Sequence, residues 1–297
     1  MQRLQTAQNN QLPEKIRLFY PYRSNYIGLP CGNRMHFIDE GEGEPIVMVH
    51  GNPTWSFYYR GLVDKFKSKY RVIVPDHIGS GLSDKPQVYA YTLKQHIDNL
   101  ENLIETLDLK NITLVVHDWG GPIGLGYAIR NPNNIKNLII TNTAAFSIEK
   151  IPLIIKFCTL PIVGESLIRV FNVFSFLGSF IAVKKPMSKA LRAAYIYPYD
   201  SYRNRIGNAR FVQDIPLKSD HPSYQTLLDI EHKLDRLTCP KLILWGAKDF
   251  CFTMLFFDRW REMYGDAQYK VLEEAGHYVI EDATDEVAKE IEDFLEQ

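Results

Sequence analysis

The sequence predicts an α/β fold in which a mostly parallel, doubly wound sheet carries an inserted helical segment. Five short runs are continuously apolar: Pro45–Val49, Arg71–Val74, Thr113–Val116, Leu138–Thr141 and Lys241–Leu244. Strands of that kind belong to a sheet covered on both faces, because neither face then needs polar side chains. Helical patterns lie between these runs, and the β–α rhythm stops between about residues 145 and 216 before resuming near Cys239. Alternation of this kind defines a doubly wound sheet, and ligands bind at the carboxyl ends of its strands.

Taken in order, Asn25–Gly28 and Arg34–Asp39 read as a leading antiparallel pair. Pro45–Val49 and Arg71–Val74 open the parallel core. Thr92–Leu107 places Leu93, Ile97, Leu100, Leu103, Ile104 and Leu107 on one face of a helix. Thr113–Val116 leads directly into a Gly-rich helix over Gly120–Arg130, and Leu138–Thr141 follows. The next stretch is aromatic and broken by prolines, without a core-type strand. It divides the chain into core (1–145), helical cap (146–216) and returning core (217–297). An insertion placed after a core strand sits over the sheet edge where ligands bind. Lys241–Leu244, the apolar stretch Tyr269–Leu272 and a helix over Asp285–Leu295 complete the chain.

Composition removes several classes of function. The chain has 297 residues, with 34 Lys+Arg against 35 Asp+Glu, so its overall charge gives no footprint for nucleic acid or an anionic membrane. A 45% hydrophobic and 23% charged composition is that of a globular chain, not a disordered one. Cys31, Cys158, Cys239 and Cys251 form no C-x-x-C pair, which suits a reducing compartment and neither a disulfide scaffold nor a structural zinc site. The first fifteen residues are polar, so no signal peptide is expected and the expected location is cytoplasmic. Charges, prolines and glycines interrupt the most apolar block, 151–183, which argues against a transmembrane helix.

The chemistry-bearing residues stand at strand ends. In Val115-Val116-His117-Asp118-Trp119-Gly120-Gly121-Pro122 a strand gives way to a sharp turn and a Gly-rich helix. That is the pattern of a nucleophile elbow, with Asp118 where a serine usually stands. A carboxylate there can attack carbon and form an ester; alternatively Asp118 only caps the helix. His50-Gly51-Asn52-Pro53 follows the first core strand, where a backbone N–H of an oxyanion hole is supplied, or where a plain Asn-Pro turn sits. His277, after Tyr269–Leu272, is placed as a base or as a structural histidine. Asp249, after Lys241–Leu244, can orient and polarise it. The order Asp118, Asp249, His277 is nucleophile, acid, base, and four weak signals agreeing in place and order outweigh their separate bland readings. Asp76, Glu281 and Asp282 are fallback acids, and His117 is expected to pack behind the elbow.

At this point the motifs HGNPTWSFYYR (50–60), PDHIGSGLSDKP (75–86), VVHDWGGPIG (115–124), ITNTAAF (140–146), WGAKDF (245–250) and AGHYVIED (275–282) together resemble the haloalkane dehalogenase family. The likeness is strongest to the subfamily that also holds the OleB-type β-lactone decarboxylases of long-chain olefin synthesis. Stretches 169–176 and 194–217 are similar to OleB-type caps. The resemblance implies an α/β-hydrolase fold with Asp118 as nucleophile, His277 as base and Asp249 as acid. ITNTAAF offers Asn142 and no carboxylate at the other acid position used in the family. The resemblance also implies Trp119 and Asn52 as the halide- and oxyanion-holding pair. Tryptophans stand only at 55, 119, 245 and 260, so the family's alternative, a cap tryptophan, has no match.

The function expected first is haloalkane cleavage through an alkyl ester on Asp118, then hydrolysis by water that His277 activates, giving alcohol and halide. The alternative is decarboxylation of a cis-β-lactone to a cis-alkene and CO2, with Phe171, Phe174, Phe176 and Phe180 either facing two alkyl chains or forming cap core. Trp119, where fluoroacetate dehalogenases carry Arg, argues against that activity. Epoxide hydrolysis, with cap tyrosines 195, 197, 199 and 202 as acids, and a non-catalytic binding role rank lower. No metal or organic cofactor is expected. The expected partners are a small apolar substrate and a halide ion, without nucleic acid. The resemblance also implies self-association or membership of an olefin-synthesis enzyme assembly.

Overall fold

A computed structural model of the chain describes residues 5–7, 12–147 and 151–297. The expected start of the insertion at 146 is followed by residues 148–150, which lie outside the described residues, as does most of the polar N-terminal stretch.

A nine-stranded sheet forms the centre. Its strands are β1 (Gln5–Ala7), β2 (Ser24–Gly28), β3 (Arg34–Glu40), β4 (Pro45–Val49), β5 (Arg71–Pro75), β6 (Ile112–His117), β7 (Ile135–Thr141), β8 (Lys241–Gly246) and β9 (Gln268–Leu272). They lie in the order β1-β2-β3-β5-β4-β6-β7-β8-β9. β1, β2 and β3 run antiparallel to their neighbours up to the β3–β5 pairing, and every later pairing is parallel. All five apolar runs and the leading antiparallel pair are therefore strands of one sheet. Their side chains alternate between two cores. Val47, Val49, Leu114, Val116 and Ile243 belong to one, and Ile46, Met48, Val115, Ile139 and Leu244 to the other. That two-sided burial is why the runs carry no polar alternation.

The helices follow from the same arithmetic. α1 (Glu14–Arg17) precedes the sheet's main body, α2 (Arg60–Phe66) joins β4 to β5, α3 (Leu93–Thr106) joins β5 to β6, and α4 (Gly120–Arg130) joins β6 to β7. Thr92 caps α3 by accepting from the Gln95 N–H, and the predicted face of α3 is buried through Leu93, Ile97, Leu100, Leu103 and Ile104. Between β7 and β8 come α5 (Leu153–Cys158), α6 (Val163–Arg169), α7 (Val173–Ile181), α8 (Lys189–Ile196), α9 (Ile206–Gln213) and α10 (Tyr224–Glu231). α11 (Met254–Met263) joins β8 to β9, and α12 (Val279–Asp282) and α13 (Thr284–Leu295) close the chain.

No strand interrupts α5–α9. Their own apolar cluster is small, with Cys158, Ile168, Ala209 and Val212 buried at its centre. Tyr195 of α8 and Phe211 of α9 instead insert into the two sheet cores. These helices depend on the sheet for burial, since four side chains cannot offset the ordering of some sixty residues. α10, by contrast, buries Leu227 and Ile230 in the core. Among the described residues no helix is long and apolar enough to cross a membrane.

Candidate active site

Asp118 follows β6 and precedes α4 with φ +50°, a left-handed conformation that a non-glycine residue adopts at a cost of roughly 1–3 kcal/mol. The surroundings hold it there. A Cβ on Gly120 would stand 1.9 Å from the Val49 carbonyl oxygen, and one on Gly121 would stand 1.9 Å from Thr143 Oγ1. Two glycines thus let α4 start against β4 and β7. Thr143 donates its hydroxyl to the Asp118 carbonyl, and the Asp118 N–H donates to the Asn142 carbonyl at 3.1 Å. The turn has the form of an elbow between β6 and α4, and no side-chain hydrogen bond caps the start of α4.

The carboxylate meets the loop after β4. Asn52 donates its backbone N–H to Asp118 Oδ1 at 2.6 Å. A Cβ at Gly51 would fall 2.2 Å from the same oxygen, so only glycine lets this loop approach. Burial pushes the Asp118 carboxyl above its ordinary range, while His277 and the backbone N–H groups of Asn52 and Trp119 pull against that rise. One carboxylate oxygen, Oδ1, therefore rests against the Asn52 N–H, the position expected of an oxyanion-hole donor. The other lies 3.8 Å from His277 Nε2.

His277 sits on the loop after β9. Its Nδ1 is 2.9 Å from Asp249 Oδ2. Burial works against a charge on the ring, but Asp249 and its hydrogen bond outweigh burial and hold the imidazole above its ordinary value. Asp249, after β8, also accepts from Asn142 Nδ2 at 2.9 Å and from the Cys251 N–H at 2.7 Å. His117 is buried with its Nε2 2.8 Å from the His277 carbonyl oxygen, the packing position expected of it. The three fallback acids are engaged elsewhere: Asp76 with His36 and the Ser56 N–H, Glu281 with Arg60, and Asp282 with the backbone N–H groups of Gly276, Lys184 and Lys185.

Asn52 and Trp119 both line the cavity over Asp118. The Asn52 amide Nδ2 is 3.3 Å from the Asn208 carbonyl oxygen on α9. Two apolar lobes meet at Asp118. One is lined by Trp119, Phe146, Phe174, Val212, Leu227 and Phe256 among others. The second lies between α5, α7 and the His277 loop. Asn52, Asp118, Ile155, Phe174 and Cys251 border both.

The cap phenylalanines divide, and only Phe174 stands where either sequence expectation put it. Phe174 alone of the four lines the lobes, and Phe171, Phe176 and Phe180 are exposed to solvent. The cap tyrosines do not line either lobe. Tyr195 donates to Glu281 and Tyr199 to the Thr54 carbonyl, so those two hydroxyls are not aimed at a substrate. Sequence reasoning also missed Asn142 as a partner of Asp249. It stands at the end of β7 with φ +26°, and a polar residue at a core strand end was the available signal. Among the described residues no cluster of His, Cys, Asp and Glu could hold a metal ion.

A doubly wound sheet with an acidic elbow and a His–Asp pair at the next strand ends is that of an α/β hydrolase, and residues 44–157 match the α/β hydrolase fold family. The chain is 50% identical over 283 residues to the cis-3-alkyl-4-alkyloxetan-2-one decarboxylase of Shewanella oneidensis, covering 93% of this chain and 89% of that one. It is 40% identical over 295 residues to the protein of the same name from Xanthomonas campestris pv. campestris, covering 94% and 97%. The crystal structure of a haloalkane dehalogenase from Agrobacterium tumefaciens C58 superposes with a TM-score of 0.84 over 92% of this chain and 95% of that one, at 24% identity, and so shares the fold. The chain belongs to the α/β-hydrolase family that unites these decarboxylases with the haloalkane dehalogenases, and it is an enzyme.

Proposed function

We propose that this enzyme converts long-chain cis-β-lactones to cis-alkenes and CO2. This reverses the order of the two readings drawn from sequence. The observation that carries it is the forked apolar cavity meeting at Asp118. A linear haloalkane needs one arm, whereas a four-membered lactone with alkyl groups on adjacent carbons needs two. Each buried methylene adds about 0.8 kcal/mol, so two filled arms hold the ring over the carboxylate. The relative at 50% identity bears the name of that activity, which supports the same choice.

In the proposed scheme the cap is residues 146–216 and the catalytic set is Asp118, Asp249 and His277. An Asp118 oxygen attacks the ring carbon that carries the ring oxygen, opposite the C–O bond. That bond breaks and its electron pair leaves on oxygen, giving an alkyl ester of Asp118 with a carboxylate on the adjacent carbon. Trp119 and Asn52, which would hold a halide in a dehalogenase, face the charge that develops on this departing carboxylate. The ester then collapses. The C–C bond to the carboxylate breaks and releases CO2, its electrons form the alkene, and the C–O bond to Asp118 returns its pair to the carboxylate. Atoms balance without water and without net proton transfer. Inversion in the first step sets the ester oxygen anti to the carboxylate, and anti elimination then keeps the two alkyl groups cis. His277, held by Asp249, keeps Asp118 ionised. The four free cysteines suit a cytoplasmic site of action.

A parallel assay tests the choice. A long-chain cis-β-lactone should give alkene and CO2, and in ¹⁸O-water no label should enter Asp118. Bromide release from 1-bromobutane with no alkene from the lactone would return the enzyme to the dehalogenase reading.

A further inference from the structure

Eleven of the eighteen exposed large hydrophobic side chains among the described residues fall between 153 and 181, on α5, α6 and α7 and their joins. Leu153, Phe157, Ile162, Phe171, Phe176 and Phe180 are among them, with Ile162 83% and Phe171 69% exposed. A face this apolar marks a docking surface. Its charge setting is as uneven as its apolarity. Residues 146–216 carry ten Lys+Arg against four Asp+Glu, a net +6, and the remainder of the chain is −7. The near-zero total that pointed away from an anionic membrane hides that split.

The basic groups border the apolar ones. Lys156 lies within α5 between Leu153 and Phe157. Lys184 and Lys185 follow α7 after two buried residues and are exposed. Arg192 of α8 stacks on the Phe180 ring at 3.6 Å, and exposed Lys189 precedes it by one turn. Glu165, an acid of the cap, is already paired with Arg169 and Arg210. Lysines are depleted from protein–protein interfaces, whereas an apolar face edged by them fits anionic headgroups over acyl chains. The inner side of the same helices lines the second lobe through Ile155, Cys158, Val173, Phe174 and Leu177.

We infer that the outer face of α5–α7 seats the enzyme on an anionic bilayer leaflet, so that a two-chain lactone passes from lipid into the second lobe beside Asp118. This use of the surface rests on the proposed function. A lactone that long leaves water by about fourfold per methylene, so a route through lipid avoids the aqueous step.

Co-sedimentation of the full chain with vesicles tests it. The protein should bind 2:1 phosphatidylcholine–phosphatidylglycerol vesicles, bind pure phosphatidylcholine at least tenfold more weakly, and be released by salt. Lys185→Glu with Lys189→Glu should weaken binding by about fivefold per charge removed, more with the reversal. Phe157→Ser with Phe171→Ser should weaken it independently; neither residue borders the lobes. Both variants should turn over a short, water-soluble cis-β-lactone like the parent while losing turnover of a long-chain lactone supplied in vesicles. Equal binding by parent and variants, or none by the parent, overturns the proposal. So does a dimer in sedimentation equilibrium that the Phe substitutions dissociate while vesicle binding is absent, since a second copy would then own the face. Anionic-vesicle binding without alkene from either lactone would defeat the reaction proposed above and uphold the surface.

Discussion

His277→Phe removes the imidazole whose Nε2 stands 3.8 Å from Asp118 Oδ2. A protonated ring at that distance favours the carboxylate by about 4 kcal/mol at an effective dielectric near 20, or about three pKa units. Asp118 is already pushed up by burial, and Asp249 holds His277 toward its charged form. Phenylalanine should therefore move the acid limb of the pH–rate profile upward by as much as about three units, so that activity lost at neutral pH returns as pH rises. The two candidate chemistries then part. Lactone collapse consumes no water, so the variant should still make alkene over many turnovers at high pH. A haloalkane ester needs water activated by His277, so bromide release should stop at one equivalent and leave an alkyl adduct on Asp118. Rapid-quench alkene analysis and intact-protein mass spectrometry read both outcomes. An Asp118 adduct accumulating from the lactone without alkene would refute the water-free collapse. An unmoved acid limb would refute the electrostatic role given to His277.

Asn142→Ala strips Asp249 Oδ2, the Gly246 N–H and the Gly246 carbonyl of a partner; unfolding in urea should show a loss of about 2–4 kcal/mol, and kcat should fall by tenfold or more with KM little changed. Leu177→Trp fills the second lobe only, so kcat/KM across a lactone series should fall for two long chains and be kept when one is short. His77 and His96 are buried, and burial lowers both, His96 to about 3. The unfolded chain takes these protons near pH 6.5 and the fold does not. Stability should therefore drop as pH falls below about 6.5, by up to about 1.4 kcal/mol per pH unit for each ring. His277, raised, has the opposite sign: its contribution is full below the unfolded value and is lost as pH rises through the folded one. Denaturation midpoints at pH 5 and 7.5 measure the sum. His96→Phe, which keeps the stack on Phe211 at 4.4 Å, should reduce the slope.

What was legible in the sequence is what two-sided burial writes into it. β4 to β8 read as apolar runs because each strand serves both cores, and Gly120–Arg130 matched α4 end to end because two glycines and a proline mark its start. β9 was visible as Tyr269–Leu272, one residue short, although its first three residues are exposed. β1, three residues on an antiparallel edge, left no pattern. The elbow was legible because Asp118 sits in a motif whose glycines have steric reasons on β4 and β7. Asn142 was read only as a missing carboxylate, because a side-chain bridge between strand ends has no spacing signature. The exposed phenylalanines of the cap were misread for a related reason. Periodicity says that a helix has an apolar side, not whether that side meets a cavity, a core or the outside.

The same three residues could run either chemistry, so the triad cannot be what selects the reaction. In both proposed schemes Asp118 attacks carbon and forms an alkyl ester, and the fate of that ester depends on what competes for it. A carboxylate left anti on the neighbouring carbon makes collapse unimolecular, while hydrolysis requires a water held against His277 in a space bordered by Phe250, Tyr278 and Ile155. The second lobe brings apolar chain into that space. A substrate long enough to fill it excludes the water that would hydrolyse its own ester, and a short haloalkane does not. Selection between alkene and alcohol would then follow from chain length acting through the second lobe. Shortening the chain on that side of a lactone should raise β-hydroxy acid at the expense of alkene, measured as the product ratio in ¹⁸O-water, and a ratio independent of chain length would separate the fork in the cavity from the choice of reaction.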